Sequence, residues 1–186
     1  MEATITIAGN ADIFMKVRAL VGHCDLRVFL TEHAYLDIGR GSFGAIKQIA
    51  FLGEQDVGCI GTVGQFCNFA DPSYLHGGGE HLNDSAVNVT FHNIPVLAAF
   101  TAARTDMRAK AQVPFAIGNA VLVSAHAHVM SGAQIGDGAV IAACAVATKV
   151  IEPFTIVGGV PAKAIRPRAV DIEAIQALRW WEFDTG

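Results

Sequence analysis

Hydrophobic residues in the C-terminal half of the chain recur at every sixth position. The first position of each hexapeptide is aliphatic or small: Ile117, Val123, Val129, Ile135, Ile141 and Ala147. The fifth position is mostly small: Val121, Ala127, Ala133, Ala139, Ala145 and finally Ile151. A half-buried strand alternates with a period of about 2 residues and an amphipathic helix with a period of about 3.6, so neither element explains this pattern.

The six-residue step predicts an all-β fold, a left-handed parallel β-helix, in which each hexapeptide makes one flat face and one corner of a triangular coil. An aliphatic side chain points inward from each face, and a small residue fits near each corner. An earlier, less regular block keeps the same step: Val57, Val63, Phe69 and Leu75, with Cys67 and Ser73 at the small position. Ile38-Gly39 is expected to begin a further coil, and the phase is broken from Phe43 to Gly53.

Two segments depart from the repeat. The period is lost over residues 76–116, which predicts a long inserted loop of the kind that is often functional. From Val170 to Trp181 the apolar residues have helical spacing after a possible N-cap at Asp171, which predicts a C-terminal α-helix packed on the prism. We therefore expect a β-helix domain over 1–168 and a C-terminal helix within 169–186. A capping coil, or a short helix from about Asp12 to Val21, is expected near the N-terminus.

Composition narrows the class of protein. Hydrophobic residues make up 52% of the chain and charged residues 16%, but no uncharged run approaches the roughly 18 residues that a membrane-spanning helix needs. We expect neither a membrane span nor a signal peptide. The net charge of −4 argues against nucleic acid as a partner. The cysteines, which form no CxxC pair, are expected to be reduced and mostly buried in a cytoplasmic protein: Cys24, Cys59, Cys67 and Cys144.

Four segments together resemble the xenobiotic acetyltransferase branch of the hexapeptide acyltransferases. The segment from Ile135 to Arg166 is similar to the closing coils of these enzymes, and the segment from Gly64 to Ala70 resembles their G-K-F-C-S-I-A. The segment from Gly77 to Asp84 resembles G-G-x-H-R-x-D-W, and the segment from Leu178 to Trp181 resembles the C-terminal I-K-W-W. The resemblance implies a homotrimer that binds an acyl-CoA donor in a groove between subunits and uses a loop histidine as general base.

The resemblance makes His81 the candidate general base. Imidazole titrates near neutral pH and can take the proton of a hydroxyl as it attacks a thioester. A neutral imidazole needs an acceptor for its other ring nitrogen, and Asp84, Glu80 or a backbone carbonyl could serve. The family pattern ends soon after this point, because Leu82 stands in place of Arg and Ser85 in place of Trp. The acceptor substrate is therefore left open.

Donor-binding residues are carried over from the resemblance. The pantetheine arm is expected to hydrogen-bond main-chain groups at Ala125 and Ala143, where small side chains admit a thin ligand. At the nucleotide end of coenzyme A, four residues match the family's contacts: Thr148, Lys149, Lys163 and Arg166. Cations there would neutralise phosphate groups. Each of these residues also has an ordinary structural explanation, as a steric corner or a solvated charge.

The histidine pair His126 and His128 raises a different enzyme class. Gamma-class carbonic anhydrases share this architecture and bind zinc through three histidines at a subunit interface. Here the two histidines flank Ala127, so both are expected to point outward, where interface packing or acceptor contact fits better than zinc. Trp180 and Trp181 are expected to be packing anchors rather than substrate contacts.

The sequence therefore predicts an acyl-CoA-dependent acyltransferase, most simply an O-acetyltransferase that uses acetyl-CoA and no metal. Its acceptor would be a hydroxyl of a sugar, a polysaccharide precursor or a small molecule. Antibiotic acetylation and N-acylation remain open, and a carbonic-anhydrase-like enzyme or a non-catalytic scaffold is less favoured because fold does not imply function.

Overall fold

The computed structural model of the protein describes residues 2–6, 24–50, 58–78 and 113–183. The strands are β1 (Glu2–Thr6), β2 (Asp25–Phe29), β3 (Ala34–Ile38), β4 (Phe43–Ala50), β5 (Gly58–Val63), β6 (Asn68–His76), β7 (Phe115–Ile117), β8 (Leu122–Val123), β9 (His128–Val129), β10 (Gln134–Ile135), β11 (Val140–Ile141), β12 (Val146–Ala147), β13 (Val150–Ile151), β14 (Thr155–Gly158) and β15 (Lys163–Pro167). They are followed by the helix α1 (Ile172–Leu178) and a 3-10 turn at Trp180–Glu182.

Parallel pairing between successive coils builds the three faces of a prism. Face A is a sheet in the order β1-β2-β3-β5-β7-β10-β13. The second sheet, in the order β12-β9-β6-β8-β11-β14-β15, forms the other two faces because β6 bends around a corner. The first half of β6 pairs with β8 on face B, and its second half pairs with β9 on face C. This is the predicted left-handed parallel β-helix.

The core follows the sequence repeat. Inward aliphatic side chains such as Val123, Val129 and Ile141 are 0% exposed, and each contributes about 1.5–3 kcal/mol by burial. The predicted small positions also lie inside, and none is more than 1% exposed: Val121, Ala127, Ala133, Ala139 and Ala145. The six-residue step therefore reports the spacing of inward positions around each coil.

One position in the predicted repeat was wrong. Ile151, counted from the sequence as a fifth-position residue, lies in the inward row of face A, where it pairs with Ile135. Ile135 pairs in turn with Ile117, eighteen residues earlier, whereas Ile151 comes only sixteen residues after Ile135. The coil is two residues short because only Thr148 and Lys149 separate β12 from β13, so the hexapeptide count slips at this corner.

The N-terminal coils keep the fold with interruptions. Ile38 pairs with Val63 across face A, which confirms the coil that Ile38-Gly39 was expected to begin. The loss of phase after Phe43 arises from two register shifts in the pairing of β4 with β6. Before this coil, β2 and β3 form an antiparallel hairpin, with β1 added in parallel to β2. The expected helix from Asp12 to Val21 lies outside the described residues.

A column of glycines allows the coils to stack closely on one side of face A. A Cβ atom added to Gly39 would lie 2.6 Å from the carbonyl carbon of Gly64, and one added to Gly64 would lie 2.6 Å from that of Gly118. Real Cβ atoms do not approach backbone this closely, so a larger residue would force the coils apart. The Ile-Gly and Val-Gly pairs of the repeat are therefore required by close approach between coils.

The C-terminal helix is shorter than predicted, and its apolar stripe is not buried within the described residues. Asp171 caps α1 as expected by accepting a hydrogen bond from the Ala174 N–H at 2.9 Å. The helix ends at Arg179, whose left-handed conformation turns the chain away from the helical path. Trp181, in the following 3-10 turn, is the anchor and is 2% exposed.

Two further features of the described residues bear on the sequence-based expectations. Of the four cysteines, only Cys67 is buried, so the prediction of mostly buried thiols was wrong. Cys24 and Cys59 are partly exposed and Cys144 is exposed. Within the described ranges, none of the helices has the length and apolar character required to cross a membrane.

Candidate active site

The two predicted donor-binding alanines lie one above the other at the corner between faces B and C. The N–H of Cys144 donates to the carbonyl oxygen of Ala125 at 3.0 Å, which stacks the turn at Ala143 directly on the turn at Ala125. One coil earlier, the N–H of His126 donates to the carbonyl oxygen of Pro72. The second residue of each upper turn, His126 or Cys144, has a positive φ near 60°. The first residue of each upper turn, Ala125 or Ala143, has only a methyl side chain. The corner therefore presents a narrow ridge of backbone.

This ridge keeps hydrogen-bonding capacity free. The N–H of Ala125 and both backbone polar groups of Ala143 make no hydrogen bond to any described residue. Ala143 is exposed and Ala125 partly exposed. An extended ligand that lies along the ridge could therefore exchange hydrogen bonds with the main chain without displacing internal ones.

The four predicted nucleotide contacts are all exposed and lie at the C-terminal end of the prism. Lys163 and Arg166 lie on β15, which pairs antiparallel with β14 at the edge of the second sheet. Thr148 and Lys149 form the short link between β12 and β13, at the other end of face C from the alanine ridge. The structure thus brings Ala125 and Ala143 into one feature, while the cations occupy two separate places at the same end.

The predicted base His81, with Glu80 and Asp84, lies outside the described residues. Strand β6 ends on face C at His76, five positions before His81 in the sequence. A Cβ atom added to Gly77 would lie 2.7 Å from the Cβ of Ile60, so this glycine is required where the chain passes over the core. The glycine run therefore has a packing role at its first member.

A row of aromatic and imidazole side chains, formed by Tyr74, His76 and His128, lies near the end of β6. The sequence analysis did not predict it. Tyr74 and His128 are register partners on β6 and β9, and their rings stack with centroids 4.5 Å apart at an interplanar angle of 7°. His76 Nε2 lies 2.9 Å from His128 Nδ1. The repeat contained one indication of this row. Tyr74 and His128 directly precede the inward residues Leu75 and Val129 on consecutive coils, so their side chains face outward at equivalent positions. Both histidines flank the buried Ala127, and both lie outward as predicted: His128 is partly exposed, and His126 is exposed at the corner.

Other predicted features can be placed as well. Trp181 is 2% exposed and is the expected packing anchor, and Arg40 donates to the carbonyl oxygens of Trp181 and Phe183. Trp180 packs on Phe66, with ring centroids 5.1 Å apart, but remains 38% exposed. Burial raises the pKa of the Cys67 thiol to about 11. Burial is also the main cause of the raised pKa of Cys59. Among the residues that the structure describes, no group of three or more His, Cys, Asp or Glu side chains is placed to hold a metal ion.

Comparison with known proteins identifies the family. Residues 116–149 match the family model described as bacterial transferase hexapeptide, six repeats. The chain is 33% identical over 146 residues to a chloramphenicol acetyltransferase of Klebsiella aerogenes, an alignment that covers 76% of this chain and 68% of that enzyme. The chain belongs to the hexapeptide-repeat acetyltransferases. This confirms the predicted family, in the branch resembling the xenobiotic acetyltransferases.

Further relatives agree with this family. The chain is 34% identical to a chloramphenicol acetyltransferase of Morganella morganii over 65% of its own length, and it spans only 59% of the length of that relative. Over 24% of the chain, it is 53% identical to a virginiamycin A acetyltransferase of Staphylococcus aureus, covering 22% of that enzyme.

The solved structure of AntD, an N-acyltransferase from Bacillus cereus in complex with dTDP and 3-hydroxybutyryl-CoA, has the same fold. Its TM-score is 0.57 and its identity 19%, over 77% of this chain and 69% of that one.

Proposed function

We propose that this hexapeptide acetyltransferase moves an acetyl group from acetyl-CoA to a hydroxyl of a sugar, a polysaccharide precursor or a small molecule. The observation that carries the proposal is the backbone ridge at Ala125 and Ala143, which offers a thin extended ligand free main-chain groups in a chain of this family. A pantetheine arm has that shape and amide groups that can pair with the ridge. A cytoplasmic location, where acetyl-CoA is available, belongs to the same proposal.

The chemical step is direct transfer. His81 removes the proton of the acceptor hydroxyl as its oxygen attacks the thioester carbonyl carbon, and main-chain donors stabilise the resulting oxyanion. The intermediate then expels the coenzyme A thiolate, which recovers the proton from the imidazolium. Asp84, Glu80 or a backbone carbonyl holds the other ring nitrogen of His81. No acyl-enzyme is needed for this sequence of bonds.

The nucleotide end of the donor is assigned to the exposed cations at the C-terminal end of the prism. Lys163 and Arg166 on β15 are proposed to contact the 3′-phosphate, and Thr148 with Lys149 the remainder of the nucleotide. Thermal shift assays with coenzyme A and dephospho-coenzyme A test this assignment. The double variant Lys163→Ala/Arg166→Ala should weaken binding of coenzyme A more than that of dephospho-coenzyme A. Equal losses for the two ligands would place the cations elsewhere.

Assembly as a homotrimer, with donor sites between subunits, is part of the proposal. Several large apolar side chains are exposed in the described chain, including Val150 at 70% and Ile165 at 63%. On the outside of face A, Ala116, Gln134 and Val150 line a shallow groove of about 310 Å³. Exposed apolar surface of this kind is typical of association sites. Analytical ultracentrifugation should give a trimer, and a stable monomer at micromolar concentration would contradict a shared site.

Antibiotic acetylation is the second candidate, because several relatives are chloramphenicol acetyltransferases. An assay that follows radiolabelled acetyl groups from acetyl-CoA into a panel of pyranosides and chloramphenicol separates the two candidates.

The same assay tests His81 as the general base. His81→Ala should lower kcat by a factor of about 10² to 10⁴ and leave the affinity for acetyl-CoA nearly unchanged. His81→Asn should be equally slow, because an amide cannot take the proton at neutral pH. Retention of more than about a tenth of wild-type turnover in His81→Ala would exclude this residue as the base.

A further inference from the structure

The stacked rings of Tyr74 and His128 present their edges to the outside of face C. These residues are direct register partners on neighbouring strands, so the vector between their rings runs along the axis of the β-helix. The centroids are 4.5 Å apart and the planes nearly parallel, close to the spacing of about 4.8 Å between paired strands. The ring planes therefore lie across the axis. Both side chains are partly exposed. Rings stacked in this way direct their edges, which carry the polar atoms, rather than their flat faces away from the prism.

The contact between His76 and His128 determines the hydrogen-bonding role of Nε2, the outward ring nitrogen of His128. Nε2 of His76 and Nδ1 of His128 are 2.9 Å apart, so one of these nitrogens donates a hydrogen bond and the other accepts it. Whichever role Nδ1 takes, Nε2 of a neutral His128 takes the opposite one, as donor or acceptor. Neither this Nε2 nor the phenolic oxygen of Tyr74 makes a hydrogen bond to a described residue. Two outward polar groups on adjacent coils are thus available to a ligand.

Tyr74 and His128 lie near the place where the proposed donor path ends. This part of the argument rests on the proposed function. The path descends from the cations on β15, past Ala143 and Ala125, to the coil of Pro72, where the N–H of His126 meets the Pro72 carbonyl. The reactive end of the donor would therefore reach the coil that carries Tyr74 and His76.

We propose that Tyr74 and His128 form an acceptor-binding subsite for a polyhydroxylated, sugar-like acceptor, with His76 as the positioning residue for His128. Polar atoms at ring edges recognise hydroxyl groups through hydrogen bonds, and a polyhydroxylated pyranoside presents more hydroxyls than a nitroaromatic acceptor does. The subsite therefore favours pyranosides over a nitroaromatic acceptor such as chloramphenicol. It holds hydroxyls of the acceptor other than the one that reacts, so it acts on acceptor binding more than on the chemical step.

Steady-state kinetics with methyl pyranosides and chloramphenicol test the subsite. Tyr74→Phe and His128→Phe each keep a ring in the row and remove the outward polar atom. Each should raise the KM for the pyranoside about tenfold, as expected for the loss of one hydrogen bond, with kcat changed less and the KM for acetyl-CoA unchanged. The matched control is His33→Phe, because His33 is exposed in the turn between β2 and β3. It should leave all three constants at wild-type values.

The positioning role of His76 needs a readout beyond activity. In ¹⁵N imidazole spectra, His76→Phe should change the tautomer balance of His128, because the partner of its Nδ1 is removed. Unchanged His128 signals in that variant would contradict the positioning role. Wild-type KM values for pyranosides in both Tyr74→Phe and His128→Phe, or a lower KM for chloramphenicol than for every pyranoside, would overturn the subsite.

The two proposals can fail separately. If the wild-type protein acetylates none of the acceptors, the proposed function fails, and the subsite is then judged by binding alone. Addition of methyl pyranosides should shift the ¹⁵N signals of His128 in the wild-type protein. If these signals do not move, the subsite is wrong as well.

Discussion

The upper coils (residues 113–158) and the lower coils (residues 34–50 and 58–78) are built on the same prism but differ in regularity. In the upper coils the strands are mostly two or three residues long, and each coil repeats the previous one apart from the short corner at Thr148–Lys149. In the lower coils β4 and β6 are eight and nine residues long, and their pairing slips twice. The lower coils also bury Ser42 and Ser73, whereas no polar or charged side chain is buried in 113–158.

This difference matches a division of roles. Regular coils can offer a ligand only what repeats, which is main-chain groups at corners such as Ala125 and Ala143. Irregular coils place individual side chains, and Tyr74 and His76 lie where β6 runs past the corner toward the inserted segment. We therefore propose that the upper coils bind the donor and that the lower coils, together with His128, bind the acceptor.

The largest expected effect compares one side chain in the two regions. Ile141 is 0% exposed in the upper coils and Ile46 is 6% exposed in the bulged strand β4. Ile141→Ala should cost about 4 kcal/mol and Ile46→Ala about 2 kcal/mol, because an irregular strand can relax into the cavity more fully. Urea unfolding of both variants measures the difference. Equal costs would mean that the register shifts of β4 do not soften the lower coils.

Each region contains a cysteine, which is buried in the lower coils (Cys67) and exposed in the upper coils (Cys144). Burial raises the pKa of the Cys67 thiol in the folded protein from its ordinary value of 9.0 to about 11. The unfolded chain therefore loses this proton first. Stability should be complete below about pH 9 and fall by about 2–3 kcal/mol as the pH rises toward 11.

Cys67→Ala should lack this part of the alkaline loss in unfolding experiments. The exposed Cys144 provides the control, and Cys144→Ala should keep the wild-type profile. An identical alkaline loss in Cys67→Ala would show that another group is responsible.

A smaller effect is expected from two serines that make the same type of bond. Ser73 donates to the Ala45 carbonyl at 2.9 Å in the buried lower coils, and Ser131 donates to the Val113 carbonyl at 2.8 Å at an exposed corner. Ser73→Ala should cost about 1–2 kcal/mol because it leaves a buried carbonyl without its partner. Ser131→Ala should cost less than about 0.5 kcal/mol, since water replaces the hydroxyl. A larger loss of stability for Ser131→Ala than for Ser73→Ala in chemical denaturation would contradict the buried environment of Ser73.

The smallest effect is expected at the C-terminal helix, which belongs to neither region. Helix α1 buries no residue within the described chain, so Asp171→Ala should melt the helix locally by about 1 kcal/mol with little change in global stability. Hydrogen exchange at Ala174 and Ile175 would report the local loss. A full loss of about 1 kcal/mol in global unfolding would show that the helix is coupled to the prism.

The sequence predicted the fold because the inward positions of a β-helix repeat at a fixed step, and a fixed step is visible without coordinates. It failed at Ile151 because a corner shortened by two residues leaves no local mark. It also overestimated the helix, since the left-handed turn at Arg179 redirects Trp181 into the prism through contacts with distant residues. The row of Tyr74, His76 and His128 was missed because it requires the register of strands separated by the long insertion.

Binding of acetyl-CoA to Ala143→Leu tests the central claim most directly. The side chain at Ala143 is exposed, so leucine should leave the melting temperature unchanged while covering the ridge along which the pantetheine arm is proposed to lie. Isothermal titration calorimetry should show acetyl-CoA binding to the wild-type protein and binding at least tenfold weaker, about 1.4 kcal/mol, to the variant. Wild-type affinity in Ala143→Leu would contradict the donor path and the division of roles between the coils.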